Sequence, residues 1–142
     1  CRQTAELLFP GQEQVVIDKL REMDFGRFEA KNYMELSVDP AYQAWIDSGG
    51  KLPFPEGESR EAFIRRTLEG FREVVRDAQA HDRETIAVVA HGGTIMSILE
   101  ALAEEKRAFY DWQVGNAMGY HLSVSDEIWE KRQRVTVLEK IT

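Results

Sequence analysis

Residues 85–94 read Thr85-Ile86-Ala87-Val88-Val89-Ala90-His91-Gly92-Gly93-Thr94. Six nearly apolar residues in a row, rich in β-branched side chains, predict a strand covered on both faces, as in a parallel sheet. His91 stands at the carboxyl end of that strand. Gly92 and Gly93 let the backbone turn sharply. From Thr94 the apolar period changes to that of a helix, with Ile95, Ile98, Leu99 and Leu102 on one side as far as about Glu104. In open α/β sheets, ligands bind beyond the carboxyl ends of strands. A helix beginning there offers unpaired N–H groups and a partial positive charge, which together favour an anion. His91 adds a donor. In isolation a His-Gly-Gly triplet more often serves a plain turn.

Working outward, Ser59 reads as the N-cap of a long helix reaching about Ala80, its apolar stripe running Ile64, Leu68, Phe71, Val75 and Ala78. Gln14 to Leu20 contains the run Val15-Val16-Ile17 and predicts another buried strand. Helical sequence occupies Arg2 to Leu8 and stops at Pro10-Gly11. A short helical or irregular piece is expected over Tyr33–Leu36, and a helix opens at Asp39-Pro40 and ends at Ser48-Gly49-Gly50. Ala117–Val124 and Ile128–Glu139 read as two antiparallel strands joined at Ser125-Asp126-Glu127. Strands alternating with helices predict an α/β fold: a three-layer sandwich with a mostly parallel sheet flanked by helices.

The chain has 142 residues, of which 43% are hydrophobic, a length that favours a single domain and allows a core. Eighteen basic against twenty-five acidic residues leave a net charge of −7, which speaks against nucleic acid as a partner. A small phosphorylated metabolite needs only a local positive pocket and is not excluded. No apolar run approaches a membrane span, and no secretory leader pattern is visible. Cys1 is the single cysteine, so no internal disulfide can form. A cytoplasmic location is the expectation.

Three further segments carry chemistry. In Leu20-Arg21-Glu22-Met23-Asp24-Phe25-Gly26 a predicted strand delivers Glu22 to its end. A carboxyl group beside an anion site holds its proton more tightly and can protonate a departing alkoxide. Solvated surface acids are the alternative for Glu22, Asp24 and Glu29. In Pro55-Glu56-Gly57-Glu58-Ser59, Glu58 and Ser59 could touch a substrate, position neighbouring groups, or simply form a loop and a helix cap. Asn116 precedes a strand and is open to the same two readings. Tyr33, Met34, Tyr42 and Trp45 suit either a substrate pocket or packing.

Taken together and in order, these segments resemble the histidine phosphatase (phosphoglycerate mutase-like) superfamily. Cys1-Arg2-Gln3-Thr4-Ala5-Glu6 resembles the latter part of the family's S-x-L-x-R-A-x-Q-T-A motif. Residues 20–31, LREMDFGRFEAK, resemble L-x-E-x-D-F-G-x-W-E-G. Residues 54–59, FPEGES, resemble the P-G-G-E-S loop; residues 88–95, VVAHGGTI, the second-histidine motif; and residues 114–122, VGNAMGYHL, the late N-x-x-x-x-x-L element. The resemblance implies a phosphomonoester hydrolase working through a phosphohistidine. His91 would bind the phosphoryl group, Glu22 would donate the proton, and Gly92 would offer a backbone N–H. Glu58, Ser59 and Asn116 would lie at the substrate. It implies no cofactor and no metal.

The departures are as telling. The family nucleophile is the histidine of an Arg-His-Gly triplet on the first strand, and no such triplet occurs here. The phosphate-binding arginine of the first motif would precede Cys1; Arg2 stands one place too late for it. His81 and His121 lack the nucleophile's sequence context, and Phe28 and Ala30 stand where the family has Trp and Gly. These 142 residues are therefore expected to form an N-terminally incomplete domain, inactive alone, whose partner is either the missing N-terminal segment or a second copy in a homodimer. The short stretch between Gly26 and Gly57 resembles the small phosphatases of the α-ribazole phosphatase type. A phosphoglycerate mutase-type transferase and a non-catalytic phosphate-binding fragment are the alternatives.

Overall fold

The structure, a computed structural model, describes residues 1–142. Helix α1 (Arg2–Leu8) buries none of its residues. α2 (Tyr33–Ser37) starts from a reciprocal cap between Asn32 and Glu35. α3 (Pro40–Asp47) starts where the Asp39 carboxylate accepts the Ala41 N–H, with Pro40 in the first turn, a position that needs no donor. α4 (Arg60–Ala80) is the long helix predicted from its stripe, and the Ser59 hydroxyl accepts the Ala62 N–H at 3.1 Å. α5 (Gly92–Leu102) begins two residues before the expected Thr94, because both glycines adopt helical geometry.

The core joins α4 to α5. Phe71 and Val75 of α4 meet Ile98, Leu99 and Leu102 of α5, closed by Trp112, Trp129 and Val135. Trp112 and Val135 have no exposed surface. Each such side chain contributes about 1.5–3 kcal/mol through burial. Phe71 meets Trp129 edge-on, with ring centroids 5.8 Å apart. A second, all-aromatic cluster joins Phe28, Tyr42, Trp45 and Phe54, so Tyr42 and Trp45 pack against neighbouring rings within the segment that follows Gly26.

Two expectations fail. The segment expected as a strand over Ile128–Glu139 begins as a helix, α6 (Asp126–Arg132). Asp126 and Glu127 occupy its first turn and Lys131 and Arg132 its last, the arrangement the helix dipole favours. Trp129 anchors it in the core. The hairpin partner is displaced, so β1 (Gly119–Ser123) pairs antiparallel with β2 (Thr136–Ile141), with an irregularity between His121 and Leu122.

The expected three-layer sandwich around a mostly parallel sheet is not built either. The sheet has two strands, β1 and β2. One isolated parallel bridge, Ala103 with Val135, adds to it. Residues 85–90, predicted as a covered strand, form no strand and make no backbone hydrogen bond. Over Gln14–Leu20, residues 14–17 are irregular and unpaired, and Asp18–Leu20 close into a single 3₁₀ turn. A ladder needs a neighbour, and both segments instead border a cavity of about 770 Å³. Val15, Val16, Ile86 and Val88 are each more than two-fifths exposed around it.

Candidate active site

Two elements that are distant in sequence converge at one end of that cavity. Segment 85–90 leads into His91, which is the N-cap residue of α5 in β geometry and makes no side-chain cap bond. The first intrahelical hydrogen bond of α5 runs from the Ile95 N–H to the His91 carbonyl at 3.1 Å. The N–H groups of Gly92, Gly93 and Thr94 therefore have no acceptor within the helix, the donor set an anion would use. The His91 ring is exposed, and its Nδ1 lies 3.1 Å from the Cys1 Sγ.

Glu22 arrives from the other side. It is half-buried, its Oε1 accepts the Met23 N–H at 2.8 Å, and it lines the same cavity as His91, Arg21 and Cys1. A Cβ placed on Gly93 would stand only 3.2 Å from that same Oε1, so the carboxyl group lies directly against the first turn of α5. Thr94, fully buried, ties the two elements together by donating its hydroxyl to the Leu20 carbonyl at 3.3 Å. The imidazole and the carboxyl group thus face one hollow at the start of a helix.

The loop after Glu22 is fixed by backbone contact. Gly26 has φ +54°, and a Cβ there would fall 2.1 Å from the Pro55 carbonyl oxygen, so no other residue fits without moving the chain. The Arg27 N–H donates to Pro55 O at 2.7 Å and the Glu58 N–H to Asp24 O at 2.9 Å. Residues 24–27 and 55–58, both singled out in the sequence, are therefore one structural unit.

The remaining predicted site residues are placed as follows. Gly92 opens α5 with free space where a side chain would be. Ser59 caps α4, as the loop reading allowed. The carboxylate of Glu58 is held by Arg66: Nε donates to Oε1 and Nη2 to Oε2, each at 2.8 Å. That pairing holds the Glu58 carboxyl below the usual range against the opposing effect of burial, with the Asp24 N–H contributing in the same direction. Glu58 in turn raises Arg66 above its ordinary value. Asn116 sits exposed in the turn before β1 and does not line the cavity. His81 ends α4, where it contacts Asp77, and His121 lies on β1 opposite Glu139; neither histidine lines the cavity. Tyr33 and Met34 are exposed on α2.

Arg66 is the residue that sequence reasoning missed. Its place was legible in principle: it falls three residues after Phe63 and four before Gly70, both buried, and so on the inward side of α4.

The chain is similar to known proteins. Residues 1–136 match the family model described as the histidine phosphatase superfamily (branch 1). A Hydrogenobacter thermophilus protein named "Putative phosphoserine phosphatase 2" is 32% identical over 91 residues, 63% of this chain and 43% of that protein. The matched part of this chain thus spans less than half the length of that relative. Two solved structures superpose with a TM-score of 0.78 over 99% of this chain and 68% of theirs. One is described as "a putative alpha-ribazole-5'-P phosphatase" of Escherichia coli, at 22% identity, and the other as the alpha-ribazole phosphatase of Shigella flexneri, at 20%. At that identity the likeness establishes a common fold.

Proposed function

This chain belongs to the histidine phosphatase superfamily (branch 1), and from that membership we propose that it supplies the acid and the phosphate-binding histidine of a phosphomonoester hydrolase. The observation that carries the reading is the convergence of Glu22 and His91 on one cavity at the N-terminus of α5. In the proposed reaction a histidine on a further strand attacks phosphorus in line. An N–P bond forms and the ester P–O bond breaks, while the Glu22 carboxyl group gives its proton to the departing oxygen. Water then attacks the phosphohistidine. The N–P bond breaks, Glu22 takes the proton from that water, and inorganic phosphate leaves. Throughout, His91 and the free N–H groups of Gly92 and Gly93 hold the phosphoryl oxygens, so that catalysis rests on placement and charge stabilisation. Glu58 serves the site through its neighbours, while Ser59 caps α4 and Asn116 stands outside the cavity.

The backbone of residues 85–90, free of hydrogen bonds beside the cavity, supports placing the proposed nucleophile on a strand alongside that segment. The reading is supported by the apolar side chains that face that space. The substrate is a small phosphorylated metabolite, and the names of the relatives give two to include in a panel: α-ribazole-5′-phosphate and phosphoserine.

The test compares these 142 residues alone with the same residues joined to an N-terminal strand bearing Arg-His-Gly. The extended protein is expected to release phosphate from the panel and from p-nitrophenyl phosphate, and to trap an acid-labile phosphoryl group. The shorter chain is expected to do neither, and its amides over residues 85–90 should exchange rapidly with solvent. Failure of the extended protein on every phosphomonoester would overturn the reading.

A further inference from the structure

The guanidinium of Arg66 spends its donors on the segment that carries Glu22. Nη1 donates to the carbonyls of Lys19 at 2.7 Å and Arg21 at 3.1 Å. Nη2 reaches the carbonyl of Glu22 itself at 3.5 Å and, with Nε, clasps the Glu58 carboxylate. Glu58 Oε2 also accepts the Asp24 N–H, at 3.3 Å, so the pair grips the chain on both sides of Glu22. The two side chains are only 13% and 14% exposed. Arg66 also lies over the ring of Phe63, 5.2 Å from its centroid, and that ring in turn approaches within 3.8 Å of where a Cβ on Gly93 would be. One planar group thus registers the Glu22 segment, the 55–58 loop and the first turn of α5.

We infer that Arg66 is a positioning residue, which together with Glu58 forms a charge-cancelled brace that sets the Glu22 carboxyl group against the start of α5. The choice of residue follows from geometry. Carbonyls and a carboxylate on two sides of one group require the planar fork of arginine; a lysine ammonium is a single point and cannot bridge them. The presence of Glu58 follows from charge. A lone buried cation is costly, and beside a site that must hold a protonated acid it would favour the ionised form. With Glu58 paired to it, Arg66 fixes position without leaving net charge. This assigns Glu58 to the support of the site, its carboxylate oxygens being taken by Arg66 and the Asp24 N–H. The catalytic arm of the inference rests on the phosphatase reading; the structural arm does not.

The experiment is Arg66→Lys, examined first by amide hydrogen exchange in the 142-residue chain. The amides of Leu20, Arg21, Met23 and Asp24 are expected to exchange at least tenfold faster, with those of Phe71 and Val75 in the core unchanged. In the extended protein, kcat is expected to fall about tenfold or more with KM within twofold of wild type. Unchanged exchange at residues 20–24, or acceleration spread evenly through α4 and α5, would overturn the brace. Localised exchange with an unaltered kcat would overturn its positioning role. Should Arg66→Lys fail to fold, Glu58→Gln is read by the same exchange pattern at Asp24 and Arg21. Absence of phosphate release from the wild-type extended protein would overturn the phosphatase reading and leave exchange to decide the brace.

Discussion

An oxygen of Glu22 lies 3.2 Å from the point that a Cβ on Gly93 would occupy. The first turn of α5 is therefore bare at the one place where the carboxyl group rests. Gly93→Ala should push that oxygen away by a few tenths of an ångström, since Phe63 limits retreat on the other side. Alanine also suits a helix better than glycine, by about 0.5–1 kcal/mol. The expected outcome is a split: kcat for a phosphomonoester falls about tenfold while the thermal midpoint holds or rises. A parallel loss of both would mean that Gly93 serves packing alone.

Ser59 gives a prediction of the opposite kind. Its hydroxyl accepts the Ala62 N–H at 3.1 Å, the role of an N-cap. Ser59→Ala should cost about 1 kcal/mol, read as a lower urea midpoint at constant slope. If the hydroxyl also contacts substrate, KM rises as well; an unchanged KM would confine Ser59 to capping.

What the sequence made legible was local. α4 begins and ends where its cap and apolar stripe place it, because both signals lie within the helix. The same holds for the Asp39-Pro40 start of α3. The proximity of Glu22 and His91, 69 positions apart in the chain, came from reading two predicted strand ends as one sheet edge. Residues 85–90 read as a strand from their β-branched run, but pairing depends on what lies alongside, no local pattern carries that, and no strand forms there. α6 was lost for a different reason. Ser125-Asp126-Glu127 looks like a turn between strands, yet acids followed by Lys131-Arg132 one turn later also mark a short helix, and burial of Trp129 decides between them. Arg66 was overlooked because a charged residue on a long helix is ordinarily assigned to solvent.

Acid titration should expose the Glu58–Arg66 pair. Arg66 and the Asp24 N–H hold the Glu58 carboxyl below its ordinary 4.5 in the folded protein. A carboxyl group depressed on folding stabilises the fold at every pH above its unfolded value, and that stability disappears as pH falls through the folded value. Glu58→Gln should therefore be less stable than wild type by about 3–5 kcal/mol at neutral pH, as expected when one partner of a largely buried pair is removed. The difference should stay constant down to about pH 5 and shrink below it. Arg66, raised by its partner, keeps its charge through this range and adds no slope. Chemical denaturation of both proteins from pH 3 to 7 checks the prediction; a constant gap down to pH 3 would mean that Glu58 is not held as the carboxylate.

Substitution of Glu22 should depend on the leaving group. A proton donor matters when the departing oxygen is a poor leaving group, as in the alkoxide of an alkyl phosphate, and little when it leaves unaided, as p-nitrophenolate does. In a protein carrying the nucleophile, Glu22→Gln keeps the size of the side chain and can still lie against Gly93, yet it holds no transferable proton. The rate of phosphoenzyme formation from an alkyl phosphate should fall by about 10²–10⁴, the usual worth of general acid help. From p-nitrophenyl phosphate the loss should be within about tenfold, because only the electrostatic part of the group's contribution is removed. His91→Gln should instead slow both substrates alike, since it acts on phosphoryl oxygens that the two share. Rapid-quench measurement of phosphoenzyme formation separates this step from the later attack of water, in which Glu22 acts as base for every substrate. An equal loss on both esters in the Glu22 variant would assign the carboxyl group to the structure of the loop and remove it from proton transfer.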